Sequence, residues 1–515
     1  MNANPNAARL PSQLKTLASH LEVESQSMVE LLPTFSKLDK ILMGLGLLAN
    51  NDSLTTRVPW WPLISVLGTY SSGKSTFIND YLGESLQATG NQAVDDMFTV
   101  ICYGPSDHSR VLPGMALDAD PRFPFYRMSE KIEDVAAGEG KLIGSFLHLK
   151  TCGNEKIKGK ILVDSPGFDA DDQRRSTLRV TDHIIDLSDL VLVMFDARHP
   201  EPGTMQDTLK HLVEETVNRP DASKFLYILN QIDTTAKEDN PEDVVSAWQR
   251  GVAQAGLTAG RFYTIFSESA ANIDNNTIKE RLSAKRDKDL AEIYGRIEDV
   301  EIERDYRIVS VLEGTANEIE REILPALEAA LGRWRRGILL GDALIFGALA
   351  GAGVLLARTE LFTLEQLLSW TDDPVTLGLS AIGLGVVFLF GHFWVRALAA
   401  KTVAKRLPTE VGQFGLNLKT AFEKNTRFFR NVFRTNPVGW GKRARNRLQD
   451  IRTEAALQFQ RLNDRFTDPA GRAADTPKVM AMPSQALEPK PQAEPEPAQQ
   501  VEKERPADEP QAQAS

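Results

Sequence analysis

The run Gly68-Thr-Tyr-Ser-Ser-Gly73-Lys74-Ser75 has the spacing of a phosphate-binding loop. Its glycines permit a tight turn in which successive backbone N–H groups face an anion. In that chemistry Lys74 reaches the β- and γ-phosphates of a nucleoside triphosphate, and the Ser75 hydroxyl holds Mg²⁺. The candidate phosphate contacts are Gly68, Tyr70, Ser72, Gly73, Lys74, Ser75 and Thr76. Three later runs supply what such a loop needs. Lys160-Ile-Leu-Val-Asp164-Ser-Pro-Gly167 ends in Asp-x-x-Gly, so Asp164 would hold Mg²⁺ through water and the Gly167 N–H would face the γ-phosphate. Lys224-Phe-Leu-Tyr-Ile-Leu-Asn230-Gln231-Ile-Asp233 ends in Asn-x-x-Asp, and the Asp233 carboxylate could accept both guanine donors. Phe262-Tyr-Thr-Ile-Phe-Ser267 offers a small polar residue to back the base.

These residues must be held by strands that end at one edge of a sheet. Pro62–Leu67 is apolar and strand-like, and Thr76–Leu82 is helix-like, so the loop has the strand–loop–helix setting it requires. The expected fold is an α/β P-loop G-domain with a doubly wound, mostly parallel sheet, joined to an α-helical stalk and a two-helix transmembrane hairpin. The expected division is N-terminal helices over 1–60, the G-domain over 61–275, a first stalk segment over 276–336, the hairpin over 337–396, a second stalk segment over 397–466 and a disordered tail over 467–515. Leucine spacing over 8–50 predicts two helices broken at Pro33. An irregular insertion is expected over 104–145.

Two apolar runs define the hairpin. Gly337–Ala357 contains one charge, Asp342, and Val375–Val395 contains none. Each can cross a hydrocarbon core of roughly 30 Å as a helix, and their glycines favour close packing. The alternatives are a buried soluble hairpin, or one that enters a single leaflet. Arg333, Arg335 and Arg336 precede the first run, and Arg396, Lys401, Lys405 and Arg406 follow the second, whereas 358–374 is mainly acidic. The positive-inside rule then places both termini in the cytoplasm. Asp342 is expected to pair with a flanking Arg. The Arg- and Phe-rich run Arg427–Arg434 is read as a stalk helix, or else as a contact for anionic headgroups.

Composition narrows the class. The 515-residue chain carries a formal net charge of −11, which argues against a general nucleic-acid binder. Its two cysteines make no disulfide framework and suit a reducing compartment. The first residues lack a basic start and an apolar core, so no signal peptide is expected. The Pro-, Glu- and Gln-rich tail cannot bury enough apolar surface to fold.

At Gly68–Ile78, Asp164-Ser-Pro-Gly-Phe168 and Leu192-Val-Met-Phe-Asp-Ala197 the chain resembles the dynamin superfamily, and most of all the EH-domain (EHD) ATPases, which share a Tyr at the position of Tyr70. The hairpin is instead similar to that of mitofusin-type and bacterial dynamin-like proteins, and it implies a bacterial inner membrane. The resemblance implies a G-domain on a helical stalk, membrane binding, self-assembly through a G-domain dimer, and hydrolysis of GTP with Mg²⁺. It also implies that Ser71, with Lys74, takes part in catalysis by helping to hold a charge-compensating cation. The sequence departs from the family in several places. The carboxy end is a polar tail where EHD proteins carry an EH domain. The switch threonine that binds Mg²⁺ has no clear counterpart, with Asp95, Asp96 and Thr99 as candidates. Gln231 replaces the base-packing Lys. EHD proteins keep Asn-x-x-Asp yet use ATP, so ATP stays open beside GTP. Arg174 and Arg175 are either transition-state cations or a solvated surface.

Lys74→Ala should abolish nucleotide hydrolysis while the protein remains folded and in membranes. A turnover assay on the variant checks this, and wild-type turnover would overturn the assignment.

Overall fold

A computed structural model describes residues 9–89, 97–104, 109–120, 122–126, 128–129, 143–167, 175–198, 222–237, 241–254, 261–269, 271, 273, 275–358, 374–428, 430–434 and 436–467. Strands β1 (Leu63–Gly68), β2 (Phe98–Tyr103), β3 (Arg110–Pro113), β4 (Leu147–Cys152), β5 (Ile161–Asp164), β6 (Leu190–Asp196), β7 (Phe225–Asn230) and β8 (Arg261–Thr264) form one sheet. The order is β3-β4-β2-β5-β1-β6-β7-β8. Pairing is parallel from β5 through β1, β6 and β7 to β8, whereas β2 runs antiparallel to β5 and β3 antiparallel to β4. The sheet is therefore mixed.

The central strands read as nearly unbroken apolar runs because both faces are covered. Alternation still sorts their side chains. Leu63, Leu67, Val191, Val193, Tyr227 and Leu229 enter one core, and Ile64, Val66, Leu192, Met194, Leu226 and Ile228 enter the other. Among the longer helices, α1 (Arg9–Glu24) and α2 (Leu32–Leu45) join the first core, and α3 (Lys74–Leu82) covers the second. Helices α4 (Arg175–Leu187) and α5 (Pro241–Gln254) complete the α/β unit. The break between the first two long helices falls before Pro33, not at it. Pro33 stands in the first turn of α2, where a missing N–H costs no intrahelical bond.

Helix α6 (Asn276–Glu318) passes through a π-turn, Ile319–Ile323, into α7 (Leu324–Ala357). Its first half belongs to the α/β unit, since Ile293, Ile297 and Val300 pack against the β1 and α3 face. Its second half, Ile308, Val309, Leu312 and Ala316, joins the core that contains α1 and α2. Helix α8 (Pro374–Ala404) returns alongside α7, and α9 (Leu418–Asn425) and α10 (Lys442–Thr467) follow. The Lys424 ammonium donates to the Met43 and Gly44 carbonyls at the end of α2, at 2.8 and 2.9 Å. Arg452 of α10 bonds Glu320 at 2.7 Å. Gly439, at φ 84°, lies so close to α2 that a Cβ would sit 2.1 Å from the Gly44 carbonyl oxygen. Arg427–Arg434 is not a helix among its described residues. It forms turns with Phe428 and Phe433 exposed, and its Arg427 and Arg430 carbonyls accept hydrogen bonds from Arg396 at 2.6 Å.

One buried charge joins the two parts. Asp189, in the turn before β6, accepts from the Leu63 N–H at 2.9 Å and from the guanidinium groups of Arg304 and Arg307 on α6. Arg304 is itself buried and also donates to the Pro59 carbonyl at 3.3 Å.

Helices α7 and α8 are long and apolar enough to cross a membrane. Their large side chains face outward, with Leu344, Leu384 and Phe390 each about three-quarters exposed. Within the described residues, then, the hairpin is not buried inside its own chain. The helices approach through small residues: a Cβ on Gly341 would come 2.5 Å from Val395 Cγ1. Asp342 pairs with His392 across the helices at 2.8 Å, not with a flanking Arg. The His stands opposite Asp342, whereas Arg333 and Arg336 lie a turn or more toward the stalk. The loop over 359–373 and the tail from 468 lie outside the described residues.

Replacing Asp189 by Ala should strand the buried Arg304 charge and destabilise the protein by about 3–5 kcal/mol. Chemical denaturation followed by circular dichroism reads this directly.

Candidate functional site

The parallel strands β5, β1, β6 and β7 deliver Asp164, Gly68, Asp196 and Asn230 to one edge of the sheet. Such an edge, beside a reversal of strand order, is where open α/β sheets bind ligands. Gly68 ends β1 against β6, and a Cβ there would come 2.4 Å from the Met194 carbonyl oxygen. The loop then turns through Ser71 at φ 60° and Gly73 at φ 85°. The Ser72 N–H and hydroxyl both bond the Thr69 carbonyl, at 3.2 and 2.8 Å. Lys74 and Ser75 open α3, with Thr76 next in its first turn. A helix N-terminus directly behind the loop favours bound phosphate.

The Lys74 ammonium lies against the Gly68 and Thr69 carbonyls, at 3.1 and 3.0 Å. Burial pushes its pKa down to about 8, against the opposing pull of the Asp164 carboxylate. The Ser75 hydroxyl donates to Asp164 at 3.0 Å. These are hard oxygen donors on two rigid elements, and the pair fits Mg²⁺. Gly167 follows Asp164 and packs under the loop, where a Cβ would lie 2.9 Å from Tyr70 Cα. Sequence reasoning missed Gln87. Its amide donates to Asp164 at 2.9 Å, and Lys150 holds its carbonyl at 3.0 Å. Gln87 is fixed by Asn79, which accepts the Gln87 N–H at 2.8 Å, and nothing in a single polar loop residue signals this.

Thr99 was one metal candidate. It pairs in register with Asp164, but its hydroxyl is buried in the sheet and bonds His148 at 2.9 Å. Asp95, Asp96 and Arg174 lie outside the described residues, as does the side chain of Arg175.

On the base side, the Asn230 amide donates to the Ser72 carbonyl at 2.9 Å. Its nitrogen lies where a Gly73 Cβ would be, 2.2 Å away, so that glycine lets the two motifs touch. Gln231, at φ 64°, donates to the Ser71 carbonyl at 2.6 Å. Asp233 lies in the first turn of the following 3₁₀ helix, Ile232–Lys237, and burial raises its carboxyl above the ordinary range, opposed by its own N–H and by Arg198. Arg198 is a second residue not foreseen. It forks onto Asp196 with contacts of 2.6 and 3.0 Å and reaches the Ser71 carbonyl at 3.4 Å. Its only sequence signal is a charge just past a strand end. The Ile265 N–H bonds the Leu229 carbonyl at 2.9 Å, tying the β8 exit to β7. Ser267 follows, but its hydroxyl meets Ser269 at 3.0 Å, not the loop or Asp233.

The Dynamin family model matches residues 64–232. EH domain-containing protein 1 of Homo sapiens is 25% identical over 182 residues, covering 33% of this chain and 31% of the relative. EH domain-containing protein 3 of Homo sapiens matches with the same identity and coverage. The chain thus spans about a third of the length of these relatives. A solved structure described as "an oligomerised bacterial dynamin pair" aligns over 89% of this chain and 75% of its own, at 13% identity and a TM-score of 0.31. The segment that is similar to the Dynamin family contains the loop, Asp164, Gly167 and Asn230 already placed at one sheet edge.

Proposed function

We propose that this protein is a membrane-anchored GTPase that self-assembles to tether or remodel the bilayer. A G-domain of this family implies nucleotide hydrolysis in general. The observation behind the finer reading is the joining of two motifs. Asn230 and Gln231 grip the Ser72 and Ser71 carbonyls, so the base motif and the phosphate loop form one rigid cradle with Asp233 at its rim. Asp233 would accept the two guanine donors. Lys74 and the loop amides would bind the β- and γ-phosphates. Ser75, and Asp164 through water, would hold Mg²⁺, which supplies charge neutralisation at the phosphates. No general base is needed in such a site, because positioning and charge stabilisation provide most of the rate. Ser71 and a facing G-domain of a second copy would complete the charge compensation.

The anchor is the exposed α7–α8 hairpin, continuous with the helices that clasp the G-domain. The basic flanks favour cytoplasmic termini, and the resemblance of the hairpin to bacterial dynamin-like proteins suggests an inner membrane. A stalk and hairpin that confine chains to a surface raise their local concentration. One observation favours a second reading, an ATPase or a weakly selective switch that recruits partners without remodelling. The Gln231 amide is spent on the Ser71 carbonyl, so its stem is not offered to a base as a Lys stem would be. A transporter comes last, since two helices are too few to build a path unless many chains assemble. Turnover measured across protein-to-lipid ratios, with light scattering, tests the main reading. Rate and scattering should rise with density, and a density-independent rate on unchanged liposomes would favour the switch.

Asp233→Asn should weaken GTP binding by about 1.5–3 kcal/mol, the scale of a hydrogen bond to a charged group. Calorimetry with GTP and ATP on both proteins reads it, and tighter ATP binding by the wild type would favour the second reading.

Lys74 gives a pH signature. Its pKa is about 8 against an ordinary 10.5. Between those values the unfolded chain binds more protons than the native one, so this residue's contribution makes stability rise with pH. A bound triphosphate restores the charged form. Nucleotide binding should therefore take up a proton, and affinity should fall as pH climbs past about 8. Calorimetry in buffers of different ionisation enthalpy measures the uptake.

A further inference from the structure

Where α7 and α8 leave the stalk, they enclose a groove of about 530 Å³ that is polar at one end and apolar at the other. Its floor is set by absent side chains. A Cβ on Gly337 would come 3.3 Å from Ala399 Cβ, and one on Gly341 2.5 Å from Val395 Cγ1, so the helix backbones nearly touch there. The walls rise from residues one or two turns apart on each helix. Arg333, Arg336 and Arg406 stand at the stalk end, and Leu340, Trp394 and Leu398 continue toward the hairpin tip. No acidic side chain lines the groove. Among the described residues none of the three guanidinium groups forms an ion pair, although Arg452, Arg461 and Arg296 elsewhere on the helices do. Leu340, Trp394 and Leu398 are each more than half exposed.

We propose that this groove binds one phospholipid with an anionic headgroup. The inference rests on the membrane reading of the hairpin. Three uncompensated guanidinium groups match a phosphodiester, and Arg forks bind phosphate with two parallel hydrogen bonds. The apolar bed begins within one turn of them, where an acyl chain would start. A soluble phosphate would use the first part and leave the second in water, so the ligand is a lipid. Basic pockets between helices on the cytoplasmic side are a known way to hold acidic headgroups. The Trp394 indole, at the groove wall, suits the boundary between headgroup and chain. The bound lipid would fill the wedge between α7 and α8 beside the stalk and fix their splay.

The test uses the full chain in nanodiscs of mixed phosphatidylglycerol and phosphatidylcholine, extracted gently and examined by native mass spectrometry. One phosphatidylglycerol per chain should be retained in preference to phosphatidylcholine. The combined change Arg333→Gln, Arg336→Gln and Arg406→Gln should weaken that retention by about a hundredfold, from roughly one unit of surface charge energy per Arg. The change Lys442→Gln, Arg443→Gln and Arg445→Gln, on another basic run, should leave it intact. Leu340→Gln with Leu398→Gln keeps the arginines and should also loosen the lipid. Equal retention of phosphatidylcholine, retention by the arginine variant, equal loss in the Lys442 set, or displacement by inorganic phosphate would each overturn the groove. A chain found free of the bilayer without detergent would overturn the membrane reading and the groove with it. An unselective chain that stays in the bilayer overturns only the groove.

Discussion

The Asp189 carboxylate is the point on which the two halves of this molecule turn. It is almost fully buried at the mouth of β6, where it receives the first amide of β1 and two guanidinium groups from α6. A charge in that position is tolerable only with all its partners in place. The amino end of the strand that feeds the phosphate loop, and the long helix that leads to the hairpin, are thus held by the same two oxygens. A change in the loop that shifted β1 along its axis would be felt at Arg304 and Arg307. Coupling of this kind needs a contiguous element with two arrangements, and α6 is the only described helix that contributes to both cores and continues into the apolar pair.

The apolar pair depends on a different constraint. Between α7 and α8, close backbone contact and polar links hold the two helices together. Gly337, Gly341 and Gly391 permit the contact, Phe346 and Phe388 stack at 4.1 Å, and Asp342 meets His392. Farther toward the stalk, Trp334 donates to the Arg396 carbonyl at 3.3 Å. The polar links sit at the end nearest the stalk.

Much of this was legible in the chain. Apolar runs followed by Gly, Asp or Asn located β1, β5 and β7, because a strand covered on both faces must be apolar and a phosphate edge must be polar. Helical spacing and length marked the long helices. Local pattern did less well where geometry is set across the sequence. The pairing of β2 with β5 in the antiparallel sense places Thr99 beside Asp164 yet spends its hydroxyl on His148, and no spacing rule reveals that. Gln87 and Arg198 reach the site from loops whose paths are decided by distant residues. Arg427–Arg434 has helical spacing, but its backbone carbonyls are needed as acceptors by Arg396, and that demand overrides propensity.

The π-turn at Ile319–Ile323 has an angular meaning. A turn of this kind holds one more residue than its α-helical neighbours, and each residue of an α-helix advances the side-chain direction by about 100°. The extra residue therefore resets the phase between the stripe of α6 that meets the sheet and the stripe of α7 that meets α8. The helix behaves as a shaft with an offset coupling. Its two ends are tied in rotation, and the azimuth of the hairpin relative to the nucleotide edge is fixed by a single inserted residue.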